Sequence, residues 1–211
     1  MLSFPIIFLQ LTHNLELSVF DVLRAHILKR IDLSDGEFTD CTTFFIPRKI
    51  KKGQFFLQEG DVCKHCAFVS HGCLRCYTID DNGTEHVVDF AIEDWWIADL
   101  YSFLTGEPAV YNIDALENSE VLLLDRVSLE KLCSISPNFE RFFRLLHENN
   151  YIATHRRIVN FLSASAEERY LSFLETYPEF LQRLPQRQIA SYLGITPESL
   201  SRLRKRLAEN E

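Results

Sequence analysis

Beyond its first nine residues, the chain has no apolar run approaching the length that a helix needs to cross a bilayer. That opening run, Met1-Leu2-Ser3-Phe4-Pro5-Ile6-Ile7-Phe8-Leu9, has no basic flank before it. Gln10, His13, Asn14 and Glu16 follow it without a small-residue cleavage site, so it is read as a capping segment leading into a first helix around Ser18 to Ile31. The protein is expected in the cytoplasm with no membrane partner, a compartment where structural disulfides are not expected. Cations are also in the minority: Lys and Arg number 22 against 30 Asp and Glu, a formal net charge of −8. Such a balance excludes indiscriminate coating of nucleic acid or membrane. Glu93, Asp94 and Asp99 lie close in sequence, but no nucleophile–base arrangement and no Gly-rich phosphate loop accompany them. An enzyme is therefore not expected.

The cations that do exist are placed rather than spread, and the clearest group lies near the end of the chain. Between Leu184 and Leu207, Ile189 and Leu193 stand four apart, and Leu200, Leu203 and Leu207 recur at three and four. This spacing predicts two short helices, each burying one apolar stripe. Gly194 between them suits a sharp turn, and Ala190 is small enough for a close crossing. Thr196 offers a hydroxyl N-cap, and Pro197 fits the first helical position. A helix-turn-helix is the expected motif. Its second helix would carry Glu198, Ser199, Ser201 and Arg202 toward a major groove, with Arg204, Lys205 and Arg206 within reach of phosphates. Gln186, Arg187 and Thr196 complete the candidate DNA-binding set.

Upstream, short β-prone runs at 44–50, 54–57, 67–69, 74–79, 86–90, 113–116 and 121–124 alternate with turn signals. Lys52-Gly53, Glu59-Gly60-Asp61, His71-Gly72 and Asp80-Asp81-Asn82-Gly83 punctuate them, and Asn82-Gly83 marks a hairpin. Strands so short and so closely spaced predict a small closed roll, interrupted by an aromatic, partly helical insertion between Ala91 and Leu104. From Ser136-Pro137 a long helix is predicted to about Leu162, its broad apolar face fitting a dimer seam. Ser165 and Glu168 form a capping box for the next helix.

This order of parts resembles the Crp/Fnr family of bacterial transcription regulators over nearly the whole chain. Lys52-Gly53, Glu59-Gly60-Asp61, Phe68-Val69 with Gly72, and Asp81-Asn82-Gly83 are similar to that family's cyclic-nucleotide-binding β-roll. The resemblance implies an α+β protein: a double-stranded β-helix or β-roll sensor at 1–135, a dimerisation helix at 136–164 and a winged-helix-like DNA reader at 165–211. The wing that many members of the family carry after the second helix of the reader is not expected here, with only Ala208 to Glu211 following Leu207. The resemblance further implies a homodimer on double-stranded DNA, with RNA polymerase as a further partner. Glu198, Ser201 and Arg202 match the family's base-contacting pattern, whereas Pro197 stands where a further Arg is frequent.

The ligand pocket departs from the pattern. Ala98-Asp99 stands where cyclic AMP binders carry Gly-Glu, and no Arg or Lys occurs between Arg75 and Arg126 to neutralise a buried phosphate. No cofactor is expected, and cyclic AMP is not the expected effector. Trp95, Trp96, Asp99, Tyr101 and Tyr111, with Phe103, are candidates to line an apolar effector pocket; plain core is the rival reading. Cys63, Cys66, Cys73 and Cys76 form two CxxC pairs that could hold metal. A two-residue turn at His71-Gly72 would keep Cys66 and Cys73 on the order of 13 Å apart. A longer loop centred on Val69 and Ser70 would bring the pairs together. The alternative to a DNA reader is a ligand- or metal-binding regulatory module acting through protein contacts.

Overall fold

The computed structural model describes residues 19–209; the opening apolar run and Ser18 lie outside them. Residues 19–28 are helical (α1), and α2 spans Asp35–Thr42. Ser34 and Glu37 form a reciprocal capping box that fixes where α2 starts. Eight strands follow: β1 Ile46–Ile50, β2 Phe55–Leu57, β3 His65–His71, β4 Leu74–Ile79, β5 Glu85–Ala91, β6 Trp95–Ile97, β7 Asn112–Ala115 and β8 Ser119–Asp125. A short α3, Leu100–Thr105, separates β6 from β7.

The strands make two four-stranded sheets, in the orders β1-β8-β3-β6 and β2-β7-β4-β5. Antiparallel pairing sets Ile46 opposite Leu123 and Ala67 opposite Leu123 and Ile97. Phe68, Leu122 and Leu124 thereby share one face of the β3–β8 pair while Val69 and Val121 lie on the other, all of them enclosed. The expected α+β roll is the observed fold.

The insertion is partly helical as expected: Leu100–Thr105 is helix, while Trp95–Ile97 is a strand paired with β3. One sequence expectation needs correction: β3 and β4 do not form a hairpin. They lie in different sheets, and the chain changes sheet at Gly72, which has φ +98°. A Cβ there would come within 2.7 Å of the Ser119 backbone, and Ser119 Oγ accepts the Cys73 amide at 3.2 Å, so only glycine fits the crossing.

Beyond β8, Asp125 caps a helix that the sequence reading did not include, α4 at Arg126–Ile135. The long helix α5 spans Pro137–Ser163, close to its predicted limits. α6 Ala166–Thr176 starts at the predicted Ser165/Glu168 capping box. α7 Phe180–Arg183, α8 Gln186–Tyr192 and α9 Pro197–Ala208 complete the described chain.

By internal contacts the chain divides into two compact units. One joins the described residues up to Cys76 with Phe90–Leu145; the other joins Tyr77–Asp89 with Leu146 onward. The first unit centres on the sheet core and on an aromatic cluster in which Trp96 packs on Phe45, Phe68 and Phe143. His26 belongs to the same cluster. It is 2% exposed, its ring edge meets Phe68 and Phe142, and its Nδ1 lies 2.7 Å from Asp94 Oδ1. Asp94 has the left-handed φ of +74° and receives Lys29 Nζ on its other oxygen at 2.6 Å.

Candidate nucleic-acid interface

The second unit is built around the α8–α9 pair. Thr196 caps α9 by accepting the Ser199 amide at 3.2 Å, with Pro197 at its first position, so the helix starts where the sequence places it. Leu200 and Leu203 are buried against Ile189, Ala190 and Leu193 of α8 and its C-cap. Gly194 makes the turn with φ +66°, and a Cβ there would come within 2.5 Å of Cε2 of the Phe161 ring. Arg169 braces the turn: its Nε donates to Leu193 O at 3.1 Å and its Nη1 to Ala164 O at 2.8 Å, while the guanidinium lies 5.3 Å from the Phe161 ring centre.

With the leucines inward, Glu198, Ser201, Arg202 and Lys205 face solvent at positions i, i+3, i+4 and i+7 of α9. This face can enter a groove. The Glu198 carboxyl lies below the usual carboxylate range because it accepts from its own backbone amide and from Thr196, with Arg202 adding a favourable charge. Arg202 Nη2 also reaches Ser199 Oγ at 3.5 Å. Arg204 is exposed, Arg206 pairs with Glu167, and Lys205 lies 3.8 Å from Glu209. Gln186 and Arg187 are exposed in the first turn of α8. The hydroxyls of Thr196 and Ser199 are engaged in the cap, which ties them to the shape of α9.

Contacts that the sequence reading missed lie behind this face. Ser191 Oγ accepts the Val87 amide at 2.9 Å and donates to Glu85 O at 2.9 Å. Arg157 donates to Val88 O and, at 3.4 Å, to Val87 O, and its guanidinium lies 4.2 Å from the Tyr192 ring centre. Burial raises the Tyr192 phenol above its ordinary range.

The five candidate effector residues differ in their surroundings. Trp96 is half-buried and packs on Phe45, Phe68 and Phe143. Asp99 is fully buried as the N-cap of α3, its oxygens accepting the Ser102 and Val110 amides at 2.9 Å each. Trp95 and Tyr111 are half-buried, and Tyr101 is 58% exposed. A cleft of about 470 Å³ lies elsewhere on the roll, among Arg48, Phe55, Val62, Lys64 and His65.

The cysteine geometry also differs from both registers weighed above, because β3 and β4 do not pair. Cys63, Cys73 and Cys76 are buried free thiols and Cys66 is half-buried. Among the described residues, no three His, Cys, Asp or Glu side chains are grouped to hold a metal ion. Burial pushes the Cys63 and Cys66 thiols up, and that of Cys41 to about 12. Arg75 is buried and forked onto Asp114, with Nε to Oδ1 at 2.8 Å and Nη2 to Oδ2 at 3.0 Å.

Residues 47–136 match the cyclic nucleotide-binding domain family. Over 129 residues the chain is 27% identical to the fumarate and nitrate reduction regulatory protein of Vibrio cholerae, covering 60% of this chain and 50% of that protein. FixK2 from Bradyrhizobium japonicum shares the fold with a TM-score of 0.67 at 19% identity, over 79% of this chain and 85% of its own. A structure of a crp/fnr-family transcriptional regulator from Eubacterium rectale superposes with a TM-score of 0.63 at 17% identity, over 85% of each chain. Residues 47–136 thus form a roll of the cyclic nucleotide-binding type, and the chain as a whole is similar to regulators of the Crp/Fnr type. It spans about half the length of the curated relatives that it matches.

Proposed function

We propose that this chain is a transcription regulator that reads a pseudo-palindromic DNA site as a homodimer, using α9 as its recognition helix. The observation that carries the reading is the solvent face of α9, where an ionised Glu198 and Arg202 stand one helical turn apart on a firmly capped helix. Glu198 would accept from a cytosine N4 amino group, and Arg202 would donate to guanine O6 and N7. Arg204, Lys205 and Arg206 would meet phosphates, the last two by exchanging a surface carboxylate for a phosphate oxygen. A second copy supplies the other half-site, about one helical turn of DNA away.

The roll is read as a sensor that does not take cyclic AMP tightly. Asp99 is occupied by two backbone amides, and the buried Arg75 guanidinium already faces the Asp114 carboxylate. A nucleotide phosphate would meet carboxylates rather than donors, and burying it unpaired is costly. Isothermal calorimetry should therefore give no micromolar cyclic AMP affinity; a micromolar or tighter isotherm would contradict the reading.

A DNA reader and a protein-contact module differ in their response to salt. Phosphate contacts release counterions, so log K should fall steeply and linearly with log salt concentration. Absence of salt-dependent binding to DNA fragments would favour the protein-contact alternative.

A further inference from the structure

A strand at the end of a sheet presents a row of unpaired N–H and C=O groups, and proteins must cover or blunt it. β5 is such a strand, last in the order β2-β7-β4-β5. Residues two apart on a strand turn their backbone groups to the same edge, so Glu85 O and Val87 N–H are the pair that an added strand would engage. Both are taken by one side chain, the hydroxyl of Ser191, which accepts from Val87 and donates to Glu85 at 2.9 Å each. Ser191 sits in the last turn of α8, the first helix of the reader. Next to it, Arg157 of α5 donates to the Val87 and Val88 carbonyls and lays its guanidinium on Tyr192. The hairpin residues Tyr77–Asp89 thus belong to the same compact unit as the reader.

We propose that Ser191 and Arg157 are positioning residues for DNA recognition: they fasten α8 to the free edge of β5 and so fix the angle at which α9 is offered to a groove. Neither residue belongs to α9: Arg157 is in α5 and Ser191 in α8. Their action is to remove rotational freedom of the reader before DNA arrives, which lowers the ordering cost of binding. Specific readout, which needs α9 seated at one depth and angle, depends on this fastening more than phosphate attraction does. The inference rests on the DNA-reading function proposed above.

The test combines two measurements on full-length protein. Amide hydrogen exchange, without DNA, reads the fastening itself: Ser191→Ala should speed exchange at Val87, and Ser191→Thr, which keeps the hydroxyl, should restore protection. Affinity for a site selected from random DNA, compared with affinity for unselected DNA, reads positioning. Ser191→Ala should weaken the selected site about tenfold, in line with the loss of two hydrogen bonds, and leave unselected DNA within about twofold. Arg157→Lys keeps the charge but loses the forked donor and the flat stack, and should shift the same ratio in the same direction. Unchanged Val87 exchange, an unchanged ratio, or tighter binding of the selected site by Ser191→Ala would each overturn the proposal. Failure of the wild type to bind any DNA would instead remove the function on which it rests.

Discussion

At the scale of single residues, what a polar group can do depends on the partners it already has. Arg202 is exposed, with a 3.5 Å contact to Ser199 and the Glu198 charge nearby, so its donors can be redirected to a base. Arg202→Ala should cost about 1–3 kcal/mol on the selected site and relax preference at one base position, as read by competition binding. Equal loss on selected and random DNA would assign it to phosphates. His26 is the opposite case, a polar ring committed to the interior. Burial, with Arg30 adding to it, holds its pKa below 6.5 against the opposing pull of Asp94; Lys29 also works against protonation. Its Nε2 has no partner among the described residues. The neutral ring is the form that fits. The unfolded chain therefore takes up this proton first as pH falls, and the stability contributed by neutral His26 is present above pH 6.5 and lost below it. Thermal unfolding followed from pH 7.5 to 5 should show a falling midpoint, and His26→Asn should flatten that slope. An identical slope in the variant would show that other groups carry it.

At the scale of elements, the helices that announce themselves locally were legible and the long-range pairings were not. The Thr196-Pro197 start of α9, the Gly194 turn, the Ser165/Glu168 box and the limits of α5 all depend on residues within four positions of one another. The strands were legible from their β-prone runs. Their partners were not: a hairpin rule assumes that neighbouring strands pair, and β3 and β4 instead change sheet at Gly72 because Ser119 occupies the space alongside. That change removed both cysteine arrangements. Within the aromatic insertion, the strand at Trp95–Ile97 was not legible, because Trp95 and Trp96 suit a strand and a pocket wall equally well. Ser191 gave no signal, since a serine in a helix looks the same whether it faces water or a strand 104 residues away. The second half of α5 exposes what an isolated chain should hide: Tyr151 at 71%, Leu162 at 79%, and Ile152, Ile158 and Val159 near half. Residues 152, 159 and 162, with 151 and 158 beside them, follow the coiled-coil repeat. Ile158→Glu with Leu162→Glu should convert a dimer to a monomer in sedimentation at micromolar concentration. A wild-type monomer there would contradict the seam.

At the scale of the whole molecule, an acidic chain carries a cationic α9, and among the described residues no helix is long and apolar enough to cross a membrane. The roll keeps the fold of a cyclic nucleotide-binding domain while its polar groups are spent internally, on Asp99 as a cap and on the Arg75–Asp114 pair. The reader keeps its groups outward. The proposed DNA-reading surface thus lies on α9 rather than on the roll. The measurement that tests it most directly is a footprint of the purified full-length protein on fragmented genomic DNA at physiological salt. The account predicts protection of a two-fold-symmetric site whose half-sites lie about one helical turn apart and contain a G·C pair opposite Arg202. Weak, unsymmetric protection that is unchanged by Arg202→Ala would contradict it.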